Sequence, residues 1–143
     1  MDSIANYQII DRLNSGSRTA IYRVKDTAQA KTLVLKTPVN PYPAVEETAR
    51  LRHEYLVAKG LDINGVVRVQ GLEQSGNTLL LVQEDFGTMS LDAFAGGGLL
   101  ELELFFEIGM QLVQTLQLLH QRNVIHKDVK PQNIIIDVET HEV

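Results

Sequence analysis

The sequence predicts an α+β protein whose first half is built mainly from strands and whose second half is built mainly from helices. The first 82 residues contain five short runs rich in β-branched, aromatic and aliphatic residues, with one helix-like segment after the third run. Residues 101–121 instead place apolar side chains every three to four positions, which is the spacing of a long helix. Gly96-Gly97-Gly98 lies between the two halves and is predicted to mark their boundary.

Turn residues and a proline bound the five predicted strands. Residues 14–19 form a small-residue turn between the first two strands, and residues 74–77 separate the last two. Pro38 ends the third strand, because proline lacks the N–H that strand pairing needs. The predicted strands are Tyr7–Leu13, Ala20–Val24, Thr32–Thr37, Val66–Val69 and Thr78–Val82.

Residues from about Ala44 to Lys59 are predicted to form the one helix of the first half, with Gly60 where a helix stop is expected. The apolar residues that could share its buried face are Val45, Leu51, Tyr55 and Ala58.

Caps and periodicity predict the helices of the second half. Ser90 could cap a short helix that ends near Phe94. A short strand over 134–136 follows the long helix, and residues 137–140 are expected to turn into another strand. The residues that give 101–121 the pattern of a buried helix are Leu102, Phe105, Phe106, Gly109, Leu112, Val113, Leu116 and Leu119.

The composition narrows the possible function classes. The chain has 143 residues, the length of one domain, with 44% hydrophobic and 22% charged residues. Its net charge of −5 argues against a nucleic-acid partner, which needs clustered Lys and Arg. The absence of cysteine excludes disulfides, thiolate metal sites and Cys nucleophiles. Because no signal peptide or membrane-spanning run is visible, we expect a cytoplasmic protein with no membrane partner.

The segment 124–136 carries the strongest chemical signal. Residues 126–128 read H-K-D, Lys130 and Asn133 follow, and the segment lies between a predicted helix and an apolar strand. This pattern resembles the catalytic loop of protein kinases, H-R-D-x-x-x-x-N. The alternative is a polar turn that merely joins a helix to a strand.

The resemblance implies a role for each polar residue of this loop. Asp128 would accept the proton of the substrate hydroxyl, Lys130 would neutralise charge on the transferred phosphate, and Asn133 would give an oxygen to Mg²⁺. His126 would brace the loop. A Lys two positions after the Asp resembles serine/threonine kinases more than tyrosine kinases or small-molecule phosphotransferases. The implied cofactors are ATP and Mg²⁺, and the implied substrate is a protein with a Ser or Thr hydroxyl.

Residues 33–36 read L-V-L-K and resemble the V-A-I-K strand of the same family. Lys36 would hold the α- and β-phosphates of ATP and pair with a Glu of the following helix. Glu54 is the preferred partner, whereas Glu46 and Glu47 lie in the first helical turn, where capping is the simpler role. Without the resemblance, a lone Lys on a strand is usually a solvated surface charge.

Residues 13–22 align with the Gly-rich phosphate loop of kinases, although only the middle glycine, Gly16, is kept. Asn14 and Thr19 stand at the other two glycine positions. Asn tolerates a left-handed backbone better than most residues, whereas the β-branched Thr brings a side chain near the phosphates. A plain hairpin turn is the alternative interpretation.

Residues 79–87 resemble the strand that runs into the hinge of a kinase. Backbone groups of Glu84 and Phe86 would meet the adenine edge, and Gln83 would stand at the gatekeeper position. Residues 85–87 spell D-F-G, but they precede the catalytic loop by about forty residues, so Asp85 is not assigned to metal. The side chains that would sandwich the base are Leu13, Ile21, Val34 and Ile135.

The resemblance covers residues 7–143 as a partial kinase domain. Residues 7–86 would form an N-lobe with a five-stranded antiparallel sheet and one helix, 87–98 the hinge and linker, and 99–143 the start of an α-rich C-lobe. The magnesium D-F-G motif, the activation loop and the later helices would lie beyond Val143. Lys127 replaces the Arg of the family motif and lacks its bidentate fork for phosphate.

Residues 7–10, 15–19 and 124–128 also resemble the N-terminal kinase domains of large bacterial, notably cyanobacterial, hybrid proteins with ATPase-like and sensor histidine kinase regions. One implied function is an ATP-dependent serine/threonine protein kinase in bacterial signal transduction, with the rest of its kinase domain or downstream signalling domains as further partners. The alternative is a catalytically dead kinase remnant that acts as an ATP-binding or protein-interaction module. A third interpretation, a metal site from His120, His126 and His141, has no supporting ligand spacing.

Overall fold

The computed structural model describes residues 3–15, 18–87 and 89–143, so the predicted phosphate-loop residue Gly16 lies outside the described residues. The chain forms two compact units, Met1–Leu61 with Val67–Asp85 and Asp62–Val66 with Phe86–Val143. A sheet with one helix makes up the first unit, and helices dominate the second, which confirms the predicted α+β class. The finer domain boundaries stay a prediction.

The sheet of the first unit has six antiparallel strands. They are β1 (Ser3–Ile4), β2 (Tyr7–Ser15), β3 (Thr19–Asp26), β4 (Thr32–Pro38), β5 (Val69–Ser75) and β6 (Thr78–Glu84). Their order is β1-β2-β3-β4-β6-β5, one strand more than the sequence predicted. The additional strand, β1, pairs with Tyr7 and Gln8, and a two-residue strand is too short to show any periodicity.

The position of the fifth strand corrects the sequence prediction. The sequence places this strand at Val66–Val69, whereas β5 begins at Val69 and ends at Ser75. Most β5 residues are polar, and pairing with the apolar β6 decides their conformation, with Ser75 opposite Thr78 in a tight hairpin. Hairpin pairing therefore overrides the local strand propensity on which the prediction rested.

Alternation along β4 sorts its side chains onto two faces of the sheet. Leu33 and Leu35 are buried in a hydrophobic cluster on one face. Val34 and Lys36 therefore point to the opposite face, where Gln83 and Leu81 of β6 are their register partners. The other buried members of the first cluster are Tyr7, Val24, Leu80 and Val82.

The helix of the first unit, α1 (Val45–Ala58), packs on the second face of the sheet. Its buried residue Leu51 forms a cluster with Leu79 and Leu81 of β6. The prediction that Val45 lies on the buried face of the helix is wrong, because the side chain of Val45 is 82% exposed. Six helical positions correspond to a rotation that places Val45 about 120° away from Leu51.

The second unit contains β7 (Met89–Ser90), α2 (Leu91–Ala95), α3 (Leu102–Gln121), a 3₁₀ turn (Pro131–Asn133) and β8 (Ile135–Ile136). The hydroxyl oxygen of Ser90 accepts a hydrogen bond from the Ala93 N–H at 3.3 Å, so the predicted helix cap is confirmed. β7 and β8 form an antiparallel pair that lies next to α2 in the fold.

The long helix α3 forms where the periodicity predicts it, but only part of its apolar surface is buried. Ile108 joins Leu91 and Ile136 in the buried cluster of this unit, and Leu119 is also buried. Among the described residues, this cluster covers one side of α3. Within the same described part of the chain, no helix is long and apolar enough to cross a membrane. The predicted buried residues that are instead exposed are Leu102, Phe105, Phe106 and Val113.

Tyr7 connects two strands that are distant in the order of the sheet. Its side chain is buried in the first hydrophobic cluster, and its hydroxyl donates to Oε1 of Glu73 on β5 at 2.8 Å. Burial, and then the hydrogen bond to Glu73, raise the pKa of Tyr7 to about 12. The protonated phenol therefore helps to hold β2 to β5.

We predict that Tyr7→Phe lowers the free energy of unfolding by about 1 kcal/mol at neutral pH, the usual net contribution of one hydrogen bond. Folding raises the pKa of Tyr7 above its ordinary value of 10.0, so the stabilising contribution is complete below that pH and is lost as the pH rises through about 12. Urea unfolding followed by circular dichroism should show the difference between wild type and Tyr7→Phe closing over this range. Tyr42→Phe, at an exposed tyrosine, is the matched control. A difference that stays constant from neutral pH to pH 12 would contradict the prediction.

Candidate active site

Lys36 and Glu54 form an ion pair on the α1 side of the sheet. The Lys36 ammonium donates to both carboxylate oxygens of Glu54, at 2.8 and 2.7 Å. Both side chains are only partly exposed to solvent. Of the alternative partners, Glu47 accepts a hydrogen bond from the Ala44 N–H at 3.0 Å and thereby caps α1. The structure thus pairs Lys36 with the glutamate that the sequence favoured.

The packing of α1 places Glu54 beside Lys36. Leu51 anchors the helix on Leu79 and Leu81, and Glu54 lies three residues later, on the adjacent part of the same side. Lys36 is directly opposite Leu81 in the β4–β6 ladder. Strand register and one buried leucine therefore set the geometry of the ion pair.

Two of the predicted base-contacting residues of the first unit, Ile21 and Val34, lie on the same face of the sheet as Lys36. Ile21 is the register partner of Lys36, and Val34 lies two residues before Lys36, so the three side chains share one face. Leu13 lies where the register between β2 and β3 shifts, and its side chain is exposed. Glu84 is the last residue of β6.

The second unit brings together the three polar residues predicted for catalysis. The Lys130 ammonium lies 3.0 Å from Oδ2 of Asp128. The side-chain N–H₂ of Asn133 donates to the same Oδ2 at 2.8 Å and to the Asp128 backbone carbonyl at 2.9 Å. All three side chains are exposed to solvent, so a ligand can reach them.

A short turn and one unusual backbone conformation create this cluster. Pro131 begins the 3₁₀ turn, where its missing N–H is not needed, and Asn133 ends it. Lys127 has a φ of 64°, in the left-handed region, and this turns the chain immediately before Asp128. The Asp128 N–H donates to Nδ1 of His126 at 3.3 Å, a contact that fits the bracing role expected of His126.

The same contacts favour the ionised form of Asp128. The hydrogen bond from Lys130, and then that from Asn133, lower the pKa of Asp128 below its ordinary value. A carboxylate with a low pKa is a weak base. Such a group suits the orientation of a hydroxyl and late acceptance of its proton, rather than early proton abstraction.

The remaining base-contacting candidates, Phe86 and Ile135, belong to the second unit. Ile135 lies on β8 next to the fully buried Ile136, and strand alternation turns it to the other side. A Cβ atom added to Gly87 would lie 2.3 Å from a methyl carbon of Ile135, so glycine is needed for the chain to pass close to β8. The Phe86 side chain is exposed.

The structure also contains an ion pair that the sequence analysis missed. Asp85 accepts two hydrogen bonds from Arg23, at 2.8 Å from Nε and at 3.1 Å from Nη2. The two residues are 62 positions apart, and no local pattern links them. Strand register is the signal that could have found the pair, because Arg23 lies opposite Val34, and Val34 lies opposite Gln83.

Comparison with known proteins agrees with these features. A family profile described as protein kinase domain matches residues 7–143. The chain is 30% identical over 141 residues to cyclin-dependent kinase 14 of Oryctolagus cuniculus, covering 92% of this chain and 28% of that protein. It is 27% identical over 133 residues to the serine/threonine-protein kinase PrkC of Bacillus subtilis (strain 168), covering 92% of this chain and 20% of that protein. The chain therefore spans less than a third of the length of these relatives.

The chain belongs to the protein kinase family. The sequence matches the family pattern at Lys36, Asp128 and Asn133, and Lys36 pairs with Glu54 of α1. It departs from the family pattern at Lys127, where the motif has Arg, and at Asn14 and Thr19, where the phosphate loop has glycine. The D-F-G letters at residues 85–87 directly follow β6, and Asp85 is bound there by Arg23.

The oxygen atoms of the catalytic loop are the donors that Mg²⁺ prefers. Asn133 uses its amide nitrogen to bind Asp128, so its Oδ1 is the atom that fits a hard cation. Within residues 3–15, 18–87 and 89–143, no group of three or more His, Cys, Asp or Glu side chains could hold a metal ion.

We predict that Lys130→Gln and Asn133→Ala each raise the pKa of Asp128 toward its ordinary value, with the larger effect for Lys130→Gln because the Lys130 contact is the larger cause. The measurement is a ¹³C NMR titration of the Asp128 carboxyl carbon. Lys127→Gln, which removes an adjacent positive charge, is the matched control. An unchanged Asp128 titration in both loop variants would contradict the assigned cause.

Proposed function

We propose that this chain carries the ATP-holding and catalytic-loop parts of a serine/threonine protein kinase, which transfers the γ-phosphoryl group of ATP to a protein hydroxyl. The observation that carries the proposal is the cluster of Asp128, Lys130 and Asn133. It joins a carboxylate, a cation and an amide within hydrogen-bond distance. Phosphoryl transfer needs orientation and charge stabilisation of this kind, and little covalent chemistry from the protein.

In the proposed reaction, the substrate hydroxyl oxygen attacks the γ-phosphorus while the bond from that phosphorus to the bridging oxygen breaks. ADP leaves with the electron pair of the broken bond, and Asp128 accepts the hydroxyl proton. Lys130 stabilises the negative charge on the transferred group. Asn133 and Lys130 together fix the orientation of the Asp128 carboxylate before the hydroxyl arrives.

The Lys36–Glu54 pair is the proposed anchor for the α- and β-phosphates. Glu54 holds the Lys36 ammonium through both carboxylate oxygens, so the ammonium is oriented before the nucleotide binds. Mg²⁺, when bound, would neutralise phosphate charge, and Asn133 would hold it through Oδ1. The residues proposed to contact the base are Leu13, Ile21, Val34, Glu84, Phe86 and Ile135, with Gly16 proposed to cover the phosphates.

Two observations support Ser and Thr hydroxyls as the acceptors. Lys130 stands two residues after Asp128, as in serine/threonine kinases, and PrkC is named as a kinase of that class. We also propose a cytoplasmic, bacterial signalling role. Its support is the resemblance of residues 7–19 and 124–128 to the kinase domains of bacterial hybrid signalling proteins. The proposed partners are the protein substrate and the remaining part of a kinase domain.

We predict that Lys36→Ala weakens MgATP binding by about 10- to 100-fold, because it removes a hydrogen bond to a charged group that contributes about 1.5–3 kcal/mol. Isothermal titration calorimetry of the 143-residue chain measures the dissociation constant. Lys31→Ala, at an exposed lysine directly before β4, is the matched control and should bind MgATP like wild type. Equal affinity in the wild type and in Lys36→Ala would contradict the anchoring role.

We predict that the chain, combined with the remaining part of a kinase domain proposed as its partner, transfers ³²P from labelled ATP to a peptide with a Ser acceptor, and that Asp128→Asn loses nearly all of this transfer. The substitution keeps the size of the side chain and removes its ability to accept the proton. A matched peptide with Tyr as acceptor should remain unlabelled. If this combination binds MgATP but labels no peptide above the Asp128→Asn level, the nucleotide-binding module becomes the function and the transfer proposal fails.

A further inference from the structure

We propose that the Arg23–Asp85 ion pair is a positioning device that fixes the backbone from Glu84 to Phe86, so that this backbone can read the nucleotide base. Arg23 and Asp85 touch neither phosphate nor base in this proposal, but they set the atoms that do. The inference rests on the proposed ATP-binding function and extends it to the choice of base.

The geometry of the pair is that of a rigid link. Nε and Nη2 of Arg23 reach the two different oxygens of the Asp85 carboxylate, at 2.8 and 3.1 Å. This fork restrains both the distance and the orientation of the carboxylate. The side chains are only 21% and 17% exposed, so water screens the pair less than an ordinary surface ion pair.

The pair acts at the residue where regular strand pairing ends. Glu84, the last residue of β6, lies opposite Leu33 in the ladder. Its N–H donates to the Arg68 carbonyl at 3.0 Å, and its carboxylate accepts from the Arg68 N–H at 2.9 Å. Asp85 follows outside the ladder, and its side chain is held by Arg23 from β3. Backbone pairing thus fixes the position of Glu84, and the ion pair with Arg23 restrains the next residue, Asp85.

The position of Asp85 matters because it separates the two residues whose backbone would meet the base. A base edge is recognised by donors and acceptors at a set spacing, and rotation at Asp85 changes the spacing between the Glu84 carbonyl and the Phe86 N–H. Adenine presents an amino donor beside a ring-nitrogen acceptor, whereas hypoxanthine presents a carbonyl acceptor beside a ring N–H donor. A fixed backbone therefore favours ATP over inosine triphosphate, and a loosened backbone loses this preference.

The test is isothermal titration calorimetry of the full chain with ATP, inosine triphosphate and inorganic tripolyphosphate, each with Mg²⁺. Wild type, Arg23→Gln, Asp85→Asn and the double variant are compared. Lys25→Gln, at an exposed residue two positions along the same strand, is the matched control. We expect wild type and Lys25→Gln to prefer ATP. Each variant of the pair should weaken ATP binding by about tenfold, as for loss of one hydrogen bond, with little change for tripolyphosphate.

The preference for ATP over inosine triphosphate should fall by about the same factor in both single variants, and the double variant should lose no more than either one. Arg23→Lys keeps the positive charge but cannot bind both carboxylate oxygens as the guanidinium does, so its preference for ATP over inosine triphosphate should be intermediate. This variant replaces Arg23→Gln in the comparison if Arg23→Gln does not fold. A wild-type chain that binds ATP without preference, or variants that keep the preference, would overturn the inference alone. A wild-type chain that binds no nucleotide would overturn the proposed function as well.

Discussion

The alternation of side chains along β4 is the constraint on which the candidate site depends. Leu33 and Leu35 are buried in one hydrophobic cluster, which commits Val34 and Lys36 to the opposite face. A register slip of one residue would exchange these faces, burying an ammonium and exposing two leucines, at a cost of several kcal/mol. The helix α1 packs on that opposite face through Leu51, so the buried core itself sets the distance from Lys36 to its carboxylate partner.

Three of the ion pairs within residues 3–15, 18–87 and 89–143 differ in how far their side chains are exposed to solvent, and the order of exposure fits the roles proposed for them. Asp85 and Arg23 form the least exposed pair, which fits a structural link. The pair of Lys36 and Glu54 is intermediate, so it is ordered and still open to phosphate. Lys130 and Asp128 form the most exposed of the three pairs. Hydrogen bonds from Lys130 and Asn133 lower the pKa of the Asp128 carboxyl group. Exposure therefore increases from the residues that hold the backbone to those that would touch the reacting atoms.

Local sequence could bring Asp128, Lys130 and Asn133 together because they lie close along the chain. It also predicted α3, because the spacing of apolar residues along a helix is a local pattern. It misplaced β5, whose polar residues are strand only because β6 pairs with them. It gave α3 the pattern of a buried helix, because periodicity shows which residues could be buried and not which ones a neighbour covers. The Arg23–Asp85 pair could not be predicted from the sequence. The two residues come together only through the register of β3, β4 and β6, and no sequence motif connects them.

The letters D-F-G at residues 85–87 show that a short motif acquires its chemistry from its position in the fold. A magnesium ligand needs a carboxylate whose oxygens can turn toward the cation, and both oxygens of Asp85 are held by the Arg23 guanidinium. The glycine of these three letters, Gly87, is required by local packing, because a Cβ atom at this position would collide with Ile135. Binding a metal at Asp85 would require breaking a bidentate and largely covered ion pair, which is costly because it leaves the guanidinium without that partner. The same three residue types therefore serve here to fix the course of the chain, while the oxygen proposed to hold a cation, Oδ1 of Asn133, lies in the loop that also carries Asp128.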